Sequence, residues 1–149
     1  MLLRRDRAMI AVLIMLDVAF HAGRAGTVSA ADIAERAGLA RRGIEPLLQT
    51  LSRSALLESV RGPRGGYRLG RPRRDIKLSD IMEVAISEDT ASEDGPMGDL
   101  YARVVEPAWK ELDDQLRAKL HELSLDDLIR RAETAGLRRP LAEPISFSI

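Results

Sequence analysis

The sequence contains no cysteine. That absence excludes disulfides, thiol redox switching, thiolate-held zinc and cysteine-ligated iron–sulfur clusters. Histidine is almost missing too. His21 and His121 stand far apart in the chain, in no metal-ligand spacing, and each reads as a surface or capping residue. There is no Gly-rich phosphate loop, no nucleophile motif and no histidine paired with an acid in sequence, so an enzyme is the weakest reading and no cofactor is expected. No apolar run is long enough to span a bilayer. The run over residues 8–16 behind Arg4-Arg5 resembles the start of a signal peptide, with Val28-Ser29-Ala30 as its cleavage site. However, Asp6 and Asp17 bracket that run, and cleavage would strip the next motif of its packing partner. The chain is therefore expected in the cytoplasm, with no membrane contact.

Net charge is also missing: 23 Lys/Arg balance 23 Asp/Glu over 149 residues. The balance conceals an asymmetry. Residues 1–78 hold 15 basic side chains against 7 acidic ones, and residues 79–149 hold 8 against 16. A basic half joined to an acidic half implies a polyanion-binding unit attached to an element that stays off the polyanion. With 45% apolar and 31% charged residues, the chain is globular, suited to one medium domain or a small domain with an appendage.

The most informative stretch is Val60-Arg61-Gly62-Pro63-Arg64-Gly65-Gly66-Tyr67-Arg68-Leu69. Gly62-Pro63 and Gly65-Gly66 mark a hairpin tip, and Val60, Tyr67 and Leu69 are β-formers. Arg61, Arg64 and Arg68 crowd three guanidinium groups onto one projection, which folding alone does not require, and with Tyr67 they are the hairpin's expected DNA contacts. Ahead of it, residues 5–22 predict a helix apolar on nearly every face, buried on several sides as a wedge. Ser29 caps the short helix Ala30–Ala37, with Asp32 placed as in a capping box, and Gly38 ends it. A second helix turns Ile44, Leu47, Leu48, Leu51 and Ala55 inward. Its outer face carries Arg41, Arg42, Glu45, Gln49 and Arg53, donors and acceptors suited to phosphates and base edges. Alone, that face reads as a solvated charged surface. Followed by the arginine-tipped hairpin, it reads as the recognition helix of a winged helix-turn-helix. Pro46 requires either a helix that begins near Arg42-Gly43 or a kink near Arg42.

Arg71, Arg73, Arg74 and Lys77 continue the positive strip, and a short helix follows over Leu78–Ile86. Residues 87–98 form an acidic, small-residue loop (Glu88, Asp89, Glu93, Asp94). It lacks the alternation of a calcium loop and reads as a linker. The longest helix is expected over residues 99–123. Val105, Trp109, Leu112, Leu116, Leu120 and Leu123 make an apolar stripe along it, and Pro107 should bend or divide it. Because the N-terminal unit is nearly closed, this stripe is expected to pair with its twin across a two-fold axis. Ser124 caps a last helix over residues 125–135, Gly136 ends it, and residues 137–149 read as a tail.

Ser29 to Leu57, the wing Arg61-Gly62-Pro63-Arg64-Gly65-Gly66-Tyr67 and Ile76-x-Leu78-x-Asp80-Ile81 resemble the Rrf-type regulators, the bacterial family of IscR and NsrR. The likeness covers residues 1–86 closely. The long helix and Leu128-Ile129-Arg130-Arg131-Ala132-Glu133 resemble a cysteine-poor branch of that family. The resemblance implies a homodimeric transcription factor on a palindromic element, with the first helix packed on the dimerisation helix. It places Glu45 among base-reading positions and directs Arg61 at the minor groove. Cluster-binding members carry three cysteines in the loop before the long helix. Here that loop is acidic and has none, so the sensing role does not transfer. Gly43 and Pro46 also depart from the bulkier, polar residues usual in the recognition helix, which implies a different operator.

The sequence therefore reads as a mainly α protein with a small β-hairpin. Its parts are a winged helix-turn-helix DNA-binding domain at 1–86, a linker at 87–98, dimerisation helices at 99–136 and a tail at 137–149. It is expected to act as a homodimeric repressor on double-stranded DNA. A small-molecule effector between the first and the long helix stays open. So does a winged-helix module that docks an acidic partner protein.

Overall fold

The computed structural model describes residues 7–23, 26–87 and 95–138. Expectations for Arg4, Arg5, Asp6, the carboxylates of 88–94 and residues 139–149 of the expected tail lie outside the described residues. Along the chain run α1 (Arg7–His21), α2 (Ala30–Ala37), α3 (Arg41–Arg53), β1 (Leu57–Val60), β2 (Gly66–Leu69), a 3-10 turn (Arg73–Asp75), α4 (Leu78–Ile86), a π-turn (Tyr101–Val105), α5 (Glu106–Glu122) and α6 (Leu125–Thr134). Among the described residues, no helix is long and apolar enough to cross a membrane.

The central strut is α1, which packs against α2, α3, α4, α6 and β2. Ala11, Ile14, Met15 and Val18 are fully buried along it, and burial of each large side chain contributes about 1.5–3 kcal/mol. The expected wedge forms, but Met9 and Leu13 remain 47% and 42% exposed. One side of α1 thus stays open. Asp17 accepts from Arg36 Nε and Nη2, both at 2.8 Å, and this fork ties α1 to α2.

Helix α2 begins with half of the expected capping box: Ser29 supplies its bond, and the Asp32 side chain returns none to the Ser29 N–H. Ser29 is extended (φ −74°, ψ 153°) and its hydroxyl accepts from the Asp32 N–H at 3.1 Å. Gly38 takes φ 67° at the other end, and the Leu39 N–H reaches the Ala34 carbonyl at 2.9 Å. Glycine is suited to this left-handed stop.

Helix α3 runs unbroken from Arg41 to Arg53 with Pro46 inside it. Its start at Arg41 puts Pro46 beyond the first turn, where a proline removes a helical hydrogen bond. Burial of Ile44, Leu47, Leu48 and Leu51 outweighs that loss. One inward assignment fails. Ala55 lies past the helix, exposed, at φ 64°, and Leu56 is buried instead. The reason is local: the Leu56 N–H bonds back to the Leu51 carbonyl and the Ala55 N–H to that of Ser52, which reverses the chain.

The hairpin pairs Leu57 with Leu69, Glu58 with Arg68, Ser59 with Tyr67 and Val60 with Gly66. A third segment joins it. Val28 and Tyr67 exchange two backbone hydrogen bonds of 2.9 and 2.8 Å, which anchors the wing to the start of α2. A Cβ on Gly66 would lie 2.6 Å from the Val28 carbonyl oxygen, so this close approach requires glycine.

Residues 99–122 make one long helical arm. Its π-turn immediately precedes Pro107, which lacks an N–H and crowds the carbonyl four residues back. The widened turn passes the Glu106 N–H to the Tyr101 carbonyl, so Pro107 perturbs the helix without dividing it. At the far end, the Leu78 N–H donates to the Leu123 carbonyl at 2.8 Å and the Leu125 N–H to the Ile76 carbonyl at 3.0 Å. Ser124 and Asp127 then cap α6 reciprocally: the Ser124 N–H donates to Asp127 Oδ2 at 2.9 Å and the Asp127 N–H to Ser124 Oγ at 3.2 Å. Leu125 and Ile129 are fully buried. Arg73 of the 3-10 turn adds an ion pair to Asp126 at 2.8 Å.

Candidate nucleic-acid interface

The inner face of α3 is spent on the core, which leaves its outer face to solvent. Arg41, Arg42, Glu45, Gln49 and Arg53 are all exposed there. They are not equivalent. Arg41 Nε donates to Glu45 Oε1 at 3.1 Å, one turn apart, so the carboxylate carries a cation beside it. Arg53 Nη2 leans on the Thr50 hydroxyl at 3.4 Å. The Arg41–Glu45 pair is an exposed ion pair, weak in water, and these two side chains can be redirected by a stronger partner.

The wing presents Arg61 and Arg64 as exposed side chains on either side of its tip. The tip backbone is held twice. The Gly65 N–H donates to the Gly62 carbonyl at 2.9 Å, and the Thr27 hydroxyl donates to the Arg64 carbonyl at 2.8 Å. Thr27 had no signal in the sequence, because its role depends on the hairpin folding back over the start of α2.

Arg68 behaves differently. It forks onto Glu58 across the strand pair, Nε at 3.0 Å and Nη2 at 2.9 Å. The Arg68 hydrogen bond holds the Glu58 carboxyl below its usual range, and the same bond raises the Arg68 guanidinium. This pair neutralises one of the three wing arginines locally. Tyr67 is half-buried against the core, and its backbone anchors the wing. Of the strip behind the wing, Arg73 is taken by Asp126 and Arg71 lies 4.0 Å from Asp80. The most open cationic groups of the hairpin are thus at its tip.

Along α5, Val105, Trp109, Leu112 and Leu116 are 43%, 70%, 57% and 37% exposed. Leu120 and Leu123, further along the same stripe, pack partly on the hydrophobic core. A groove of about 740 Å³ runs between α4 and α5, with Met82, Ile86, Leu116 and Leu120 among its apolar lining. Ser79 and His121 line it too, with Ser79 Oγ and His121 Nδ1 3.3 Å apart.

Known proteins share this fold. The Rrf2 family model, described as an iron-dependent transcriptional regulator, matches residues 5–131. The chain is 38% identical over 132 residues to the ORF2 protein of Azotobacter vinelandii, covering 87% of this chain and 80% of that one. It is 34% identical over 128 residues to the HTH-type transcriptional regulator IscR of Photorhabdus laumondii, covering 83% and 76%. Among solved structures, IscR of T. potens superposes with a TM-score of 0.73 at 32% identity, over 93% of this chain and 94% of that one. CymR, the global cysteine regulator of B. subtilis, superposes with a TM-score of 0.69 at 27% identity, over 88% and 98%. A thiolate-held iron centre does not fit the present chain, which has no cysteine to supply a ligand. The winged helix-turn-helix, the family match and the relatives agree: the chain belongs to the Rrf2 family of transcriptional regulators.

Proposed function

We propose that this DNA-binding regulator grips double-stranded DNA as a homodimer on a palindromic operator and represses from it. In this reading α3 enters the major groove, Glu45 and Gln49 face base edges, and Arg41, Arg42 and Arg53 meet phosphates. Arg61 and Arg64 extend from the wing to the backbone or minor groove of the flanking turn. The observation that carries the reading is the division of α3. Its apolar side is wholly buried, while five exposed side chains and the two open wing arginines project from the fold. The dimer is supported by the bare stripe Val105, Trp109, Leu112 and Leu116 on α5. Apolar side chains grouped this way on a soluble surface mark an interaction site. A two-fold pair of subunits would require two half-sites in inverted repeat. Genome-wide footprinting of the bound protein tests this directly. The expected result is an inverted repeat overlapping promoters, with transcripts that rise when the protein is removed. Occupancy without any shared repeat would contradict it.

A further inference from the structure

Gly43 is the third residue of α3, and it is exposed. It sits in ordinary right-handed helix, so no special backbone angle calls for glycine. A Cβ built there meets nothing within 4 Å. Subunit packing therefore gives no reason to avoid a side chain, and helix propensity argues for one. Three residues on, Pro46 weakens the same helix again. It has no N–H, so the Arg42 carbonyl lacks the donor that a helix normally supplies four residues later. At about 100° per residue, Arg42, Pro46, Gln49 and Arg53 share the centre of the exposed face, with Gly43 on its flank.

The two departures act at one place: Gly43 withholds a side chain, and Pro46 withholds a proton. Together they thin the helix surface beside the Arg42 carbonyl, to which Pro46 can supply no N–H, on the face that would meet DNA. The donors a major groove offers to such an acceptor are the exocyclic amines of cytosine (N4) and adenine (N6). We propose that the first turn of α3 recognises one base pair through its backbone. The Arg42 carbonyl accepts from a cytosine or adenine amine, Gly43 admits the base edge, and Pro46 supplies no N–H to compete for the acceptor. The proposal deepens the DNA-binding reading and rests on it.

Site selection from a randomised duplex pool tests it, run in parallel on the full-length protein, Gly43→Ala and Pro46→Ala. Titrations on the selected site and on a random duplex follow. Neither variant should lower the thermal midpoint, since each improves helix propensity. Both should lose preference at the same single base pair. Affinity for the selected site should fall about ten-fold in each, the scale of one base-edge hydrogen bond. Random-duplex affinity should hold to within roughly two-fold, because the phosphate contacts are untouched. Unchanged preference, losses at different base pairs, or loss in one variant alone overturns the backbone contact. The DNA reading would survive that result, because the parent protein still selects a site. A parent protein that selects no sequence overturns both.

Discussion

Ala55 carries the left-handed conformation, φ 64°, at the turn where α3 hands over to β1. A non-glycine residue there costs about 1 kcal/mol. Ala55→Gly should therefore raise the urea midpoint, with a gain of about 0.5–1 kcal/mol at unchanged slope. A lower midpoint would mean that the alanine is not strained. At the start of α6, Ser124 and Asp127 satisfy each other's backbone donors. The Ser124 N–H and hydroxyl hold the Asp127 carboxyl below its ordinary value of 3.8. A depressed carboxyl contributes stability that is present above its unfolded value and lost as pH falls through the folded one. Asp127→Ala should thus cost stability at neutral pH and flatten the fall in stability below about pH 4. Parallel acid limbs for the two proteins would remove Asp127 from the account.

Helix α6 draws its importance from burial. Leu125 and Ile129 sink into the molecule from the acidic half, and the bonds from Leu78 to Leu123 and from Leu125 to Ile76 attach that half to the segment behind the wing. Ile129→Ala should cost about 2–4 kcal/mol in a single thermal transition that also melts the winged helix. Two separate transitions would show α6 to be an independent appendage.

Much of this element scale was legible in the sequence, and the reasons are physical. Ser29, Gly38, Ser124 and Gly136 are punctuation whose chemistry is local, and the apolar spacing of α3 follows from helix geometry alone. The hairpin could be placed from Gly62 to Gly66, but its register could not. The Glu58–Arg68 pair depends on which residues face each other across the strands. The anchoring of Tyr67 by Val28 needs two segments that are distant in sequence. Ala55 was misplaced because helical periodicity continued past the point where the backbone reversed. The outer face of α3 and the wing tip were identified from residue type. Which arginines remain open was set by carboxylates elsewhere in the fold.

At the scale of the whole molecule, the basic and acidic halves are less separate than their charges imply, since Arg73 and Asp126 bind one half to the other. What they keep apart is two surfaces: polar and cationic on α3 and the wing, apolar on α5. Leu112→Glu would put a charge into the α5 stripe without disturbing the subunit core. Sedimentation should then report a monomer, with operator binding weakened and steeper in protein concentration. A dimer that persists would move the interface elsewhere.

The grip of the wing on DNA is read from the salt dependence of binding to the selected duplex, measured for the parent protein and for Arg61→Ala, Arg64→Ala and Arg68→Ala. If the wing tip grips the phosphate backbone, Arg61→Ala and Arg64→Ala should each weaken binding. Each should also flatten the log–log salt slope by about 0.9 for every phosphate it no longer neutralises. Arg68→Ala should change it less, because Glu58 already holds that guanidinium. Affinities and slopes that match the parent in the two tip variants would contradict the account.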